Sequence, residues 1–185
     1  MTGLPESSPT WIFGYGSLMW RPDFEFAERR EGFVCDLSRR FWQASTDHRG
    51  IPAQPGRVVT LIREAGARCF GAAYRLRDQD REAVLARLDH RERGGFVRER
   101  VPVHFADTAG GARESVQALV YIATEINPNY LGPAPMGEIA RQIRGSRGPS
   151  GSNAEYLAKL AAALRAMGAE DDHVFALAQM LEASG

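Results

Sequence analysis

The sequence predicts an α+β fold with an antiparallel sheet or a small closed barrel, on three observations. Strand-like segments fill the first two thirds of the chain, one helical segment interrupts them between residues 78 and 91, and helical segments follow residue 126. Strands grouped before helices are typical of α+β folds, whereas a doubly wound parallel sheet alternates the two. The 185 residues fit one packed domain. We therefore predict a flexible tail over residues 1–9 and a single domain over residues 10–185.

The strand predictions rest on β-branched and aromatic content and on alternation of apolar and polar residues. The predicted strands span residues 11–15, 33–45, 57–63, 69–76, 97–105 and 116–123. The third and fourth are separated by Glu64-Ala65-Gly66-Ala67, which reads as a turn, so they are predicted to form a hairpin. Ala109-Gly110-Gly111 is a predicted loop between the last two strands.

The helix predictions rest on capping residues and apolar spacing. The predicted helices span residues 78–91, 139–143, 154–167 and 172–182. The first is expected to begin at Asp78 or Asp80 and to stop at Gly94-Gly95. Ser152 and Glu155 fit a capping box before the third helix. The loop that precedes this helix lacks the Gly-Lys-Ser/Thr ending of a phosphate loop, so capping is the favoured interpretation.

Charge and cysteine content exclude several protein classes. Basic and acidic residues both number 23, so no net charge favours nucleic acid or an anionic membrane. No segment predicts a signal peptide or a membrane helix. Cys35 and Cys69 both lie in apolar stretches and are predicted to be buried thiols in a reducing compartment rather than a disulfide. The four histidines have no metal-site spacing. We expect a soluble, cytoplasmic protein without a metal.

The glycine-containing segment Gly14 to Met19 follows the first predicted strand. Both a dinucleotide fingerprint and a nucleophile elbow would need glycine at position 19, where Met19 stands. What remains is a tight turn whose glycines let a ligand approach the backbone. Taken alone, the motif favours a purely structural turn.

Glu92 is the candidate for acid–base chemistry. It lies four residues after Leu88 and eight after Val84, so it continues the apolar stripe of the first predicted helix. Burial and the negative end of the helix dipole would both raise the pKa of this carboxyl group toward neutrality. A solvent-exposed carboxylate at a frayed helix end is at least as good an interpretation of the same pattern.

The chain resembles the ChaC-type glutathione-specific γ-glutamylcyclotransferases. The matching segments, in the order of the family, are residues 11–18, 39–43, 45–50, 55–61, 88–92 with Gly94-Gly95, 127–134, 148–151 and 155–157. Together they cover nearly the whole chain beyond residue 10. Two positions depart from the family pattern: Ala44 stands where relatives often carry glycine, and Phe96 where tyrosine is expected.

The resemblance implies a γ-glutamylcyclotransferase-like fold, a small mixed β-barrel with flanking helices and a helical C-terminal part. It implies Glu92 as the catalytic acid/base and Gly14, Tyr15, Gly16, Ser17, Leu18 and Met19 as the loop that holds the γ-glutamyl group. Glutathione is the implied substrate, converted to 5-oxoproline and cysteinylglycine without cofactor or metal. Tyr130 is a further candidate for substrate contact and Tyr156 for the pocket wall, with packing as an equal alternative for both.

Two other functions stay open at this stage. One is a related cyclotransferase that acts on other γ-glutamyl amides, and the other is a non-catalytic module that binds a γ-glutamyl group. An inward-facing carboxylate at Glu92 argues against pure binding, because holding the γ-glutamyl group does not require it.

Overall fold

The computed structural model describes residues 9–91, 95–105 and 114–183. The helices and strands are β1 (Trp11–Gly14), β2 (Phe26–Ser45), β3 (Gly56–Leu76), α1 (Arg81–Arg91), β4 (Phe96–Phe105), β5 (Ser115–Ala123), α2 (Met136–Gly145), the two-residue strands β6 (Arg147–Gly148) and β7 (Gly151–Ser152), α3 (Asn153–Ala166) and α4 (Asp172–Glu182). Short 3₁₀ turns cover Ser17–Met19 and Asp78–Asp80. Strands precede helices with one helix among them, so the α+β prediction is confirmed.

Five strands close into a barrel in the order β1-β3-β2-β4-β5. The closing contact between β1 and β5 is parallel, and the other neighbours pair antiparallel. The contact between β2 and β4 is the shortest antiparallel one in the barrel, with two residue pairs, Gly32 with Phe105 and Phe33 with His104. Two strands dominate the wall, because β2 has 20 residues and β3 has 21. The predicted small mixed barrel is confirmed.

The predicted hairpin is wrong, because β3 continues through Glu64–Ala67 as one strand. Both of its halves pair with β2, and the register shifts where Asp36 alone stands opposite these four residues. Gly66 adopts a positive φ of 80° and its N–H donates to the Asp36 carboxylate at 2.8 Å. The glycine therefore allows a large bulge, which bends the strand without reversing it.

The C-terminal helices pack on the barrel and extend its core. Ile143 of α2, Leu160 of α3 and Leu177 of α4 are fully buried in one cluster with Phe41 and Leu61 of the barrel wall. A buried histidine joins α4 to β2, since Nε2 of His173 accepts the Phe41 N–H at 3.0 Å. The C-terminal helices therefore share one hydrophobic core with the barrel wall.

The apolar stripe predicted for α1 is confirmed at Val84 and Leu88. Both are buried, in a second cluster with Ile12, Tyr74 and Tyr121 of the barrel. Glu92, which would continue this stripe, lies outside the described residues, as do the predicted loop at 109–111 and most of the N-terminal tail. Within the described part of the chain, no helix combines the length and apolar character needed to cross a bilayer.

The prediction of two buried cysteines holds for only one of them. Cys69 is buried, and burial raises the pKa of its thiol to about 11. Cys35 is exposed, which corrects the prediction. The reason is the pleat of β2: Val34 faces the core, so the next side chain points to the opposite face. Both cysteines are free thiols.

Candidate active site

A cavity of about 320 Å³ opens where β1 ends. This size lies at the lower end of the range for small-molecule sites, about 300–1,000 Å³. Its lining comes from six regions: β1 with the turn that follows it, the end of β2 with its following loop, the start of β3, the start of β4 with β5, the loop after β5, and the start of α3 with the residue before β7. The lining residues are Phe13–Leu18, Trp20, Arg21, Asp23, Gln43–Arg49, Val58, Val59, Phe96, Tyr121, Asn129, Ser150 and Tyr156.

One wall is the turn after β1, and its two glycines are required by space. The N–H of Met19 donates to the carbonyl of Gly16 at 2.9 Å, which closes the 3₁₀ turn. A Cβ on Gly14 would lie 2.6 Å from the Leu18 Cβ, and one on Gly16 would lie 2.9 Å from the Tyr156 hydroxyl. The small residues therefore let the turn fold back on itself and lie against α3.

Most residues predicted to contact the substrate line this cavity. Gly14, Tyr15, Gly16, Ser17 and Leu18 all do. The side chain of Met19 instead lies in the barrel core, only 4 % exposed. Tyr130 is outside the cavity lining: it forms an isolated bridge with Gln43, and its neighbour Asn129 lines the cavity. For Tyr156 the sequence allowed either a place in the pocket wall or a place in the core. The structure shows both, because Tyr156 lines the cavity and belongs to the buried core cluster.

Arg39 supports the turn from behind. Its side chain is fully buried, Nε donates to the Tyr15 carbonyl at 2.7 Å, and Nη1 donates to Asp171 at 2.6 Å. Nη2 donates to the Phe70 carbonyl and lies 3.8 Å from the Met19 sulfur. Asp171 also caps α4 by accepting the Val174 N–H at 3.0 Å. One buried cation thus joins the turn, the barrel wall and the last helix.

A second network ties the end of α1 to the cavity. The Tyr15 hydroxyl donates to the Tyr121 carbonyl, and the Tyr121 hydroxyl donates to the Asp89 carboxylate, each at 2.6 Å. Burial and the adjacent Asp89 carboxylate raise the pKa of Tyr121, so its hydroxyl stays protonated and donates at neutral pH. The chain leaves α1 after Arg91 and enters β4 at Phe96, which lines the cavity. Glu92 follows Arg91 directly in the sequence and lies outside the described residues.

Gln43 contributes a buried amide to the cavity lining. It is 1 % exposed, and its Nε2 donates to Oδ1 of Asn127 at 3.3 Å. That oxygen also accepts the N–H of Asn129, which fixes it as the acceptor and fixes the orientation of the Gln43 amide. Oε1 of Gln43 has no hydrogen-bond partner among the described residues. The Gln43 side chain is therefore held in the wall by its Nε2 bond, with Oε1 enclosed by protein.

Arg49 lies on the loop after β2, and its side chain contacts the start of α3. Its Nη1 donates to the Ser152 carbonyl at 3.1 Å and to Oε2 of Glu155 at 3.0 Å. Ser152 caps α3 by accepting the Glu155 N–H at 3.1 Å, so this half of the predicted capping box is confirmed. The Glu155 side chain turns to Arg49 and Lys159. Among the described residues, no cluster of three or more His, Cys, Asp and Glu could hold a metal ion.

No role was predicted for Arg39, Gln43 or Arg49, although all three lie in segments that carry the family resemblance. The available signal was a polar or charged residue within an apolar strand, as at Arg39 beside Leu37 and Phe41. Such a pattern indicates either an exposed face or a buried polar network. Only the tertiary partners decide between these two possibilities.

Comparison with known proteins gives a consistent match over nearly the whole chain. A family model described as ChaC-like protein matches residues 10–184. Glutathione-specific gamma-glutamylcyclotransferase 1 of Mus musculus is 46 % identical over 171 residues, covering 90 % of this chain and 75 % of that protein. The Danio rerio protein of the same name is 43 % identical over 181 residues, covering 96 % and 91 %. A crystal structure of the yeast gamma-glutamyl cyclotransferase specific to glutathione has a TM-score of 0.88 at 31 % identity, covering 95 % and 96 %.

Proposed function

The chain belongs to the ChaC-like family, and we propose on this basis that it is a glutathione-specific γ-glutamylcyclotransferase. The observation that carries the proposal is the cavity built on the Gly14–Leu18 turn, which Phe96 at the start of β4 also lines. Relatives that are 43–46 % identical over most of the chain carry the name of this activity. The substrate would be glutathione and the products 5-oxoproline and cysteinylglycine.

In the proposed reaction the nucleophile is part of the substrate. The α-amine of the γ-glutamyl group attacks its own γ-carbonyl carbon, a C–N bond forms, and a five-membered ring closes. The amide bond to cysteine then breaks, and the cysteinyl nitrogen leaves with a proton. Holding the chain in attacking geometry can lower the barrier by about 7–11 kcal/mol in favourable systems. The reaction moves no electrons to an acceptor and consumes no water, so its chemistry requires no cofactor.

Glu92 is the proposed proton carrier. The substrate amine is an ammonium at neutral pH, so a base must remove a proton before attack, and the leaving nitrogen needs a proton in return. One carboxylate can perform both transfers in turn, and such acid–base catalysis contributes roughly 10²–10⁴-fold. The residue directly follows Arg91, the last residue of α1, and lies four positions before Phe96 of the cavity wall. This position supports the assignment.

The described cavity residues supply the other proposed roles. Backbone N–H groups of the Gly14–Leu18 turn would stabilise the oxyanion that develops on the γ-carbonyl. Arg39 and Tyr121 would be positioning residues without substrate contact through their bonded side-chain groups. Arg39 holds the turn in place, and Tyr121 holds the end of α1.

The proposal includes a cytoplasmic location. Cys35 and Cys69 are both free thiols, which is typical of a compartment where glutathione keeps cysteines reduced. The proposed substrate would be abundant in such a compartment.

The test is incubation of the purified protein with glutathione and, separately, with γ-Glu-Ala, followed by mass spectrometry. We expect 5-oxoproline and cysteinylglycine in equal amounts from glutathione, with little turnover of γ-Glu-Ala. Equal turnover of both substrates would assign a broader cyclotransferase activity. Glutathione that binds, as seen by calorimetry, but yields no 5-oxoproline would assign a binding module and refute the proposal.

A further inference from the structure

Arg49 is a buried cation that the proposed reaction does not use. It lies on the loop after β2, only 7 % exposed, and lines the cavity. The loop holds it in place, because its own N–H donates to the Ser45 hydroxyl at 2.9 Å. Its guanidinium carbon lies 5.6 Å from the ring centre of Tyr156. A guanidinium fixed by its backbone and by a ring is pre-organised for a ligand anion.

The local charges around Arg49 leave it an excess of positive charge. Glu155 is its acidic partner at 3.0 Å, but Oε1 of the same carboxylate is bound by Lys159 at 2.7 Å. One carboxylate is therefore shared between two cations. Within the described parts of the chain, the side-chain hydrogen bonds of Arg49 both leave from Nη1. Nε and Nη2 are thus left for a further acceptor, and a carboxylate matches their paired geometry.

The neighbours of Arg49 suit a carboxylate as well. His48 and Ser150 line the same end of the cavity and contact each other, with Nδ1 3.1 Å from the hydroxyl. In the neutral pair one of them donates to the other, and the remaining hydrogen, on the hydroxyl or on Nε2, can be donated to an anion. The acidic neighbour Asp47 is largely exposed at the rim, with 74 % of its side chain accessible, so solvent screens its charge.

Arg49 lies beyond the turn that would hold the γ-glutamyl group. Tyr156 stands between them: its hydroxyl approaches Gly16, while Arg49 lies against its ring. The separation is on the scale of one aromatic side chain. A tripeptide-sized substrate extends by about 3.3–3.6 Å per residue. A substrate whose first unit rests on the turn can therefore place its far end at Arg49.

We propose that Arg49 binds the C-terminal carboxylate of the substrate. It thereby selects γ-glutamyl peptides with a free terminal carboxylate over γ-glutamylamines, which lack one. The proposal rests on the proposed cyclotransferase function and names its specificity residue.

The test compares kcat/KM for glutathione with kcat/KM for its C-terminal carboxamide, γ-Glu-Cys-Gly-NH₂. The wild type should prefer glutathione by about 10- to 100-fold, the range expected for hydrogen bonds to a charged group. Arg49→Met should lose that preference through a higher KM for glutathione, with the carboxamide little affected. Arg49→Lys should retain part of the preference, because it keeps the charge and loses the paired donors.

Arg57→Met is the matched control. Arg57 is equally buried at 7 %, but it donates to Gln142 and the Phe41 carbonyl outside the cavity lining. Its replacement should change kcat/KM for both substrates by the same factor. Glu155→Gln provides a variant that leaves Arg49 in place, and the preference for glutathione should be kept or increased because the competing carboxylate is removed.

Three results would overturn the assignment of Arg49. The first is a wild type with equal kcat/KM for the two substrates, and the second is an Arg49→Met variant in which kcat/KM falls by the same factor for both substrates. The third is a Glu155→Gln variant whose preference for glutathione is weaker than that of the wild type. The Glu155→Gln and wild-type results decide the question even if Arg49→Met does not fold. Failure of the proposed function is a separate outcome, because the wild type would then release 5-oxoproline from neither substrate.

Discussion

Replacing Arg39 with methionine tests whether a buried cation holds the turn and the last helix together. The substitution keeps most of the volume but removes the bonds to the carbonyls of Tyr15 and Phe70 and to the Asp171 carboxylate. The Arg39 side chain is fully inaccessible and that of Asp171 is 11 % accessible, so the charge left behind is poorly solvated. Removing one partner of a buried pair costs about 3–5 kcal/mol. For a domain of this size that corresponds to a fall in Tm of about 6–20 °C.

The assay is urea unfolding followed by tryptophan fluorescence, with the free energy of unfolding extrapolated at constant m. Arg40→Met is the control on the same strand, because Arg40 pairs with the exposed Glu64 at 2.8 Å and should cost at most about 1 kcal/mol. Adding Asp171→Asn to Arg39→Met should recover part of the loss, since asparagine keeps the helix cap without the unpaired charge. If Arg39→Met is no less stable than Arg40→Met, the argument that the buried pair supports the site is refuted.

Two further predictions follow from the network at α1 and from the buried histidine. Tyr121→Phe removes the hydrogen bond to Asp89. We expect the free energy of unfolding in urea to fall by about 1 kcal/mol and kcat to fall roughly 10-fold, with a nearly unchanged KM. An unchanged kcat would contradict a positioning role for Tyr121. Burial lowers the pKa of His173 to about 4; between pH 6.5 and 4 the unfolded chain therefore binds a proton that the folded chain excludes, and stability falls as pH falls. His173→Gln keeps an acceptor for the Phe41 N–H. Between pH 7 and pH 5 its free energy of unfolding should fall by about 1–2 kcal/mol less than that of the wild type. Equal falls in the two proteins would refute the role of His173.

The sequence predicted the positions of strands and helices well because periodicity is local. The alternation in 97–105 and the stripe at Val84 and Leu88 can be recognised without any tertiary partner. The hairpin failed because Glu64–Ala67 carries the same local signal for a bulge as for a turn. What distinguishes them is the pairing with Asp36, some 30 residues away.

The resemblance predicted the turn at 14–18 as the substrate site, and the structure places these residues on one cavity together with Phe96. The role of this turn in binding substrate stays a prediction. Met19 was assigned to the loop contact, but its side chain is held in the core beside Arg39. The partners of Arg39 and Arg49 lie up to 132 residues away, so no local pattern identifies their burial.

Turnover of glutathione by Glu92→Gln tests whether Glu92 carries the proton in the proposed reaction. The substitution keeps the shape of the side chain and removes its ability to carry a proton, so 5-oxoproline release should fall by about 10²-fold or more. Glutathione affinity by calorimetry and the free energy of unfolding should stay near the wild-type values. Glu82→Gln, an exposed substitution in the first turn of the same helix, is the control and should be fully active. A Glu92→Gln variant that releases 5-oxoproline at the wild-type rate would contradict the account.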